Sequence, residues 1–153
     1  MENITNVLQR LFFCFRKIAD ISPYKLRYLY YLLGNYIAQF EIKSLLKRTT
    51  VVCDWYIFST IAYHSVLLKR LLRIPNIFMP DRVVYLYASI GQISSRLGLR
   101  KIKNKFEDLN FLEKVRQRYE ELISGLNNII KVNTTDKTVE DSAKQILENL
   151  SKF

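Results

Sequence analysis

An α/β fold built on a parallel sheet is the class this chain predicts, and three short runs predict it. Thr50-Val51-Val52-Cys53, residues 82–87 and residues 128–132 are largely apolar and β-favouring, and helical patterns separate them. Strands that alternate with helices form βαβ units and pair in parallel. A run that is apolar throughout suits a strand covered on both faces. The expected architecture is a three-layer parallel sheet flanked by helices. At 153 residues with 49% apolar composition, residues 1–153 are expected to form a single domain with a real core.

The helices follow from spacing. In residues 3–19, Ile4, Val7, Leu8, Leu11, Phe12, Phe15 and Ile18 recur every three or four positions and make one apolar face. Ser22-Pro23 reads as an N-cap followed by a first-turn proline, opening a helix to about Lys47. Tyr24, Tyr28, Tyr31 and the adjacent Leu32 share a face of that helix, and Gly34-Asn35 interrupts it. A mid-helix glycine costs roughly 1 kcal/mol, so it marks a close approach by backbone or ligand. After the first strand a helix is expected over about 57–72, and Pro75 and Pro80 bound a loop.

Ser89 caps a short helix with Ile90, Ile93 and Leu97 on its apolar face, and Gly98 ends it. Residues 106–124 carry Leu109, Leu112, Val115, Tyr119 and Leu122 at helical spacing, with Gly125 suited to the C′ position. Thr138-Val139-Glu140-Asp141 resembles a capping box with Asp in place of Glu. The last helix is expected to bury Val139, Ala143, Ile146, Leu147 and Leu150.

Charge and cysteines narrow the function classes. The formal net charge is +10, which suits anionic partners: nucleotides, nucleic acid or an acidic membrane face. Residues 96–105 hold five cations and no acid. That segment reads either as a solvated loop or as a cationic lid over phosphates. Cys14 and Cys53 lie in apolar segments without metal spacing, and His64 is the one histidine, so no resident metal site is expected. Buried free thiols in a reducing compartment are the default. No apolar run approaches the roughly 18 residues of a membrane span. The expected location is the cytoplasm, with the mitochondrion as the alternative.

The stretch that organises the chain is 50–64. A strand ends in the carboxylate Asp54, the aromatics Trp55 and Tyr56 follow, and the next helix carries Ser59, Ala62, Tyr63 and His64. Ligands of parallel α/β sheets sit beyond the carboxyl ends of strands, where Asp54 would stand. This order resembles the thymidylate kinase family of nucleoside-monophosphate kinases, whose strand ends in Asp-Arg-Tyr and is followed by Ser and Ala-Tyr-Gln. Pro80-Asp81 before the strand at 83–86, the basic segment, Phe106-Glu107, Val115-Arg116 and Tyr119 continue the likeness in order. The run Leu33-Gly34-Asn35-Tyr36 is most similar to the mitochondrial UMP/CMP kinase branch. The resemblance covers roughly residues 5–150.

The resemblance implies a P-loop-kinase-like fold and transfer of the γ-phosphoryl of ATP, with Mg²⁺, to dTMP or another nucleoside monophosphate. Asp54 would be the carboxylate near metal and acceptor phosphate, with Arg96 and Arg100 as lid cations acting on the phosphates. Tyr63 would border the sugar, Tyr31 or Tyr36 would face the base, and Tyr56 and Ser59 complete the nucleotide-binding set. The family's G-x-x-x-x-G-K-S/T loop occurs nowhere in these 153 residues. Trp55 stands where the family has a phosphate-pairing arginine, Tyr87 where it has an acid, and Asn133 where it tends to have Asp.

In the family the P-loop strand lies between the strands matching 50–53 and 82–86. Its N-terminal strands are therefore expected to be missing here, through a shortened reading frame or in a degenerate member. The expected function is nucleotide binding with weak or absent kinase activity. The alternatives are a non-catalytic pseudokinase, serving as a nucleotide-binding or kinase-partner subunit, and a basic nucleic-acid-binding module using 96–105. The expected partners are a nucleoside monophosphate and either a second copy or a kinase subunit, with no membrane.

Overall fold

The computed structural model of the chain describes residues 16–98 and 108–152. They group into two compact units, Met1–Phe78 and Met79–Phe153.

The first unit is helical. Residues 16–21 end a helix; the earlier part of the helix expected over 3–19 lies outside the described residues. Ser22 closes this helix instead of capping the next one. Its hydroxyl donates to the Ile18 carbonyl at 2.7 Å, satisfying an acceptor that the helix end leaves open. Pro23 takes the N-cap position of α1, Tyr24–Leu45, with no side-chain cap. α1 ends two residues before the expected Lys47 and packs against α2, Ile57–Leu67.

α2 supplies the core. Ile57, Ile61 and Ala62 are fully buried, and Phe58 and Ile77 are buried as well. Burial of an isoleucine side chain contributes about 1.5–3 kcal/mol. By contrast, Leu26, Leu29, Leu33 and Phe40 of α1 are exposed.

α2 is five residues shorter than its periodicity predicts, and its end explains why. Lys69 takes a left-handed conformation with φ 50°. Its N–H donates to the Val66 carbonyl at 3.2 Å and the Arg70 N–H to the Ser65 carbonyl at 3.0 Å. This bond pair is the Schellman motif, with lysine at the position glycine usually fills. The Ser65 hydroxyl also accepts the Leu72 N–H at 3.2 Å, holding the chain beyond the helix.

The strand expected at Thr50-Val51-Val52-Cys53 is corrected: these residues form no strand. Val52 is 91% exposed, and Cys53 is exposed, not buried. β-branched composition favours a pleated, half-buried surface but supplies no partner for the backbone, and a strand exists only through its ladder.

The second unit carries the sheet. β1, Val83–Tyr87, and β2, Ile129–Asn133, run parallel in the register Val83 opposite Ile129 through Tyr87 opposite Asn133. They are the whole sheet among the described residues, so the α/β class holds with two strands where three were expected. α3, Ile90–Gly98, begins at Ser89, whose hydroxyl accepts the Gln92 N–H at 3.2 Å. α4, Leu109–Ile123, is capped by Asp108, whose carboxylate accepts the Phe111 N–H at 2.9 Å. α4 meets the sheet through Tyr119 on Tyr85, 5.7 Å between ring centroids, and Glu120 on Lys131, 2.9 Å. Burial, with the Glu120 carboxylate nearby, pushes the Tyr85 hydroxyl up to about 12.

Gly125 follows α4, but no glycine among the described residues has positive φ, so the helix does not end through a left-handed glycine. α5, Val139–Leu150, packs on β2. Its N-cap is present: the Thr138 hydroxyl accepts the Asp141 N–H at 3.1 Å and donates to the Asp141 carboxylate at 2.8 Å, in place of the backbone bond that would complete a capping box. Its inward face differs from expectation. Ser142 is buried, whereas Val139 is 81% and Leu147 66% exposed. The Ser142 hydroxyl donates to the Thr138 carbonyl at 2.8 Å, so it is buried without an unmet hydrogen bond. No helix of the described residues is long and apolar enough to cross a membrane.

Lys69→Gly should stabilise the protein by about 0.5–1 kcal/mol, because relief of a left-handed lysine outweighs the added freedom of the unfolded chain. Thr138→Ala should destabilise it by about 1 kcal/mol through loss of the cap. Shifts of the urea midpoint, in opposite directions for the two variants, check both.

Candidate functional site

In the first unit the chain turns from the 50–53 run into α2 through Asp54 and Trp55, both exposed. Trp55 has φ 56°. A bulky residue there is a genuine outlier that costs on the order of 1–3 kcal/mol and persists only where its surroundings hold it. The Trp55 ring lies 5.0 Å from that of Tyr63, two turns into α2. Tyr56 is the N-cap residue of α2, and no side chain caps the helix. Ser59 and Tyr63, four residues apart on one helical face, complete the segment. Asp54, Tyr56, Ser59 and Tyr63 thus lie within one loop and the first two turns of one helix.

The tyrosine hydroxyls tie the fold together. Tyr56 donates to the Phe78 carbonyl at 3.0 Å and Tyr36 to the Asn76 carbonyl at 3.2 Å. Gln39 accepts the Phe78 N–H at 3.3 Å, and the Lys43 ammonium stands 5.1 Å over the Phe78 ring. Tyr31 donates to Asp20 at 2.8 Å, and Asp20 also pairs with Arg27 at 3.3 Å. The Arg27 guanidinium lies 5.7 Å over the Tyr31 ring.

Behind these residues a buried polar chain joins the helices. Asn35 is 7% exposed. Its amide donates to the Tyr31 carbonyl and to the Thr60 hydroxyl, both at 2.8 Å. The Thr60 carbonyl takes a 2.8 Å bond from His64 Nδ1, which fixes the proton on that nitrogen. His64 Nε2 is buried and has no hydrogen-bond partner. The rings of Tyr28 and Tyr31 lie 5.5 and 5.8 Å from the imidazole. Burial holds His64 below its ordinary range and the Arg27 charge adds to this, while the bond to Thr60 opposes it. Sequence reasoning flagged Asn35 through Gly34 but did not join it to Thr60 and His64. The available signal was a hydroxyl and an imidazole four residues apart in an otherwise apolar helix.

Arg96 belongs to the second unit. Its guanidinium donates to the Thr134 carbonyl at 2.8 Å and the Thr134 hydroxyl at 3.4 Å, just past the carboxyl end of β2. Thr134 in turn donates its hydroxyl to the Tyr87 carbonyl at 3.1 Å, at the end of β1. Arg96 is therefore held at the strand ends from the last turn of α3. Arg100 and the rest of the basic segment from 99 on lie outside the described residues. No group of three or more His, Cys, Asp or Glu among the described residues could hold a metal ion.

The His64 geometry sets a pH dependence. Its folded pKa lies below the unfolded value near 6.5, so the neutral form favours the fold. Above 6.5 both states are neutral and nothing is lost. Below it the unfolded state takes up the proton first, and stability falls until the folded pKa is reached. The urea midpoint should therefore drop from pH 7 to pH 5.5, and His64→Gln should flatten that drop. An equal slope in the variant would show that His64 does not cause it.

The thymidylate kinase family model matches residues 6–146. Among curated proteins, a probable thymidylate kinase of Methanococcus aeolicus is 34% identical over 121 residues, covering 72% of this chain and 61% of its own. One of Methanocaldococcus jannaschii is 38% identical over 118 residues, covering 73% and 60%. One of Picrophilus torridus is 34% identical over 142 residues, covering 79% and 70%. The matched segment thus spans about three fifths of the length of the first two relatives. No solved structure matches. With a family model over nearly its whole length and several relatives at this level of identity, the chain belongs to the thymidylate kinase family.

Proposed function

We propose that residues 1–153 form one thymidylate-kinase-like domain that binds a nucleoside monophosphate, dTMP or a related nucleotide, beside the start of α2. The observation that supports this most directly is Trp55, held at φ 56° between Asp54 and Tyr56. Strained backbone of this kind clusters at ligand clamps and active sites. In this reading Asp54 faces the acceptor phosphate, and Ser59, Tyr56 and Tyr63 border the nucleotide. Tyr31 and Tyr36 stand on the base side; Arg96 and Arg100 are proposed from the resemblance alone to act on phosphates.

ATP and Mg²⁺ are what the family would bring to such a site. The residues present do not fit them unaided. Among the described residues Asp54 belongs to no group of three or more His, Cys, Asp or Glu that could hold a metal ion, and the 153 residues contain no glycine-rich phosphate loop with its lysine. The kinase activity of this chain is expected to be weak or absent. Trp55 favours the second reading, a non-catalytic nucleotide-binding or kinase-partner subunit. An indole has one N–H donor and no charge, so it cannot pair with a phosphate as a guanidinium does.

Titration calorimetry with dTMP, dCMP and UMP tests the binding, and a coupled assay with ATP and Mg²⁺ tests turnover. The expected result is monophosphate binding with little or no turnover. Trp55→Arg should tighten the monophosphate about tenfold, the scale of one charge-assisted hydrogen bond. Absence of binding by all three nucleotides, in both the natural chain and Trp55→Arg, would overturn the reading.

A further inference from the structure

The strained turn at Trp55 lacks local support on its helical side. α2 begins there without a side-chain cap, and a φ of 56° persists only where the surroundings over-determine it. One hold is the Trp55 ring on Tyr63 at 5.0 Å. Another comes from far along the chain. The Tyr56 hydroxyl, on the residue next to Trp55, donates to the Phe78 carbonyl, 22 residues on, at 3.0 Å. Phe78 lies in an irregular segment between Pro75 and Pro80. A carbonyl on such a segment fixes a turn only if the segment is itself fixed, and α1 fixes it. Tyr36, Gln39 and Lys43, spaced by three and four residues, share one face of α1. The Tyr36 hydroxyl donates to the Asn76 carbonyl at 3.2 Å, Gln39 Oε1 accepts the Phe78 N–H at 3.3 Å, and the Lys43 ammonium stands 5.1 Å over the Phe78 ring. Ile77, between the two gripped residues, is buried. All of these residues belong to the first unit.

We propose that Gln39 is a positioning residue for the candidate site: by fixing Phe78 it fixes Tyr56, and through Tyr56 it holds Trp55 in its strained turn. The same residue, Phe78, takes the Gln39 bond on its N–H and the Tyr56 bond on its C=O, so the path from α1 to the start of α2 crosses a single residue of the segment. The Gln39 bond is to Phe78, outside the nucleotide-binding set, so its loss acts on the site only through the turn. The distance along the chain is part of the device. Residues adjacent to Trp55 are free to relax with it, whereas a tie to a segment clamped on another helix is not. The effect on ligand binding rests on the nucleotide reading above, and the effect on the turn does not.

Trp55 is the one tryptophan of the chain, so its emission, excited apart from that of the tyrosines, reports on the turn alone. Time-resolved fluorescence anisotropy of the full chain without nucleotide tests the brace. Calorimetry with dTMP, dCMP and UMP tests its effect on binding, and far-UV circular dichroism checks folding. In the natural chain the anisotropy should decay with the tumbling of the protein. Gln39→Met, similar in shape but without the acceptor, and Tyr56→Phe, without the hydroxyl, should each add a fast component. Gln39→Met should also weaken the monophosphate about tenfold. Gln39→Glu, which keeps an acceptor for the Phe78 N–H, should retain the natural decay and affinity. Ile61→Val, which thins the α2 core and leaves the hydrogen bonds of the brace in place, should retain both as well. If Gln39→Met loses native dichroism, Gln39→Asn, one methylene short of Phe78, decides in its place. An unchanged decay in the Gln39 and Tyr56 variants would overturn the proposal. So would equal loosening by Ile61→Val, or a Gln39 variant that frees Trp55 yet binds nucleotide like the natural chain. If the natural chain binds no nucleotide while the brace variants alone free Trp55, the brace stands and the nucleotide reading falls.

Discussion

The contact between α1 and α2 depends on a polar bond. Asn35 is the one residue of α1 that is buried, and its amide reaches Thr60 across the helix interface. An unpaired amide at that depth would cost about 1–3 kcal/mol. The two helices are therefore held in the rotation and register that let Asn35 bond Tyr31 and Thr60 together. The apolar core of α2 supplies the driving force, but an interface of leucines and isoleucines alone would tolerate sliding. The polar chain from Asn35 through Thr60 to His64 specifies one arrangement. Much of α1's apolar surface is left outside as a consequence: its inward face is set by the asparagine, and Leu26, Leu29, Leu33 and Phe40 fall elsewhere on the helix.

Local chemistry was legible in the sequence wherever a few adjacent residues decide the outcome. Thr138 with Asp141 and Ser89 with Gln92 form the caps expected of them, because a cap needs only a hydroxyl and an N–H three residues away. β1 and β2 were legible to within a residue, since each is an apolar run with a ladder partner. The failures share a cause. The 50–53 run looked like a strand by composition, but pairing is settled by distant chain and not by the four residues themselves. The end of α2 was missed because a lysine, not a glycine, adopts the left-handed turn. The apolar positions of α5 predicted its buried face, but a serine that bonds its own helix lies inward instead.

The candidate site divides in the same way. The ordered set Asp54, Tyr56, Ser59 and Tyr63 could be read from sequence because those residues are close along the chain. The hydroxyl partners of Tyr31, Tyr36 and Tyr56 could not, since Asn76 and Phe78 are tens of residues from two of them. Sequence order identified the family-like segment, and the structure adds that its aromatic residues brace the fold. Such an aromatic is a poor target for a simple alanine scan of the proposed binding, because loss of the brace and loss of a ligand contact would look alike.

Trp55 has a consequence for how this segment changes over evolutionary time. Its backbone strain is borne by the free protein, so the loop is already ordered before any ligand arrives, and binding need not supply the ordering entropy. Under the proposed nucleotide binding, selection for stability and selection for ligand grip would act on this one residue in opposite directions. In lineages that still require the ligand, the strained conformation should persist even as the side chain varies. In lineages that do not, this is the position where relaxation to an unstrained turn gives an immediate gain in stability.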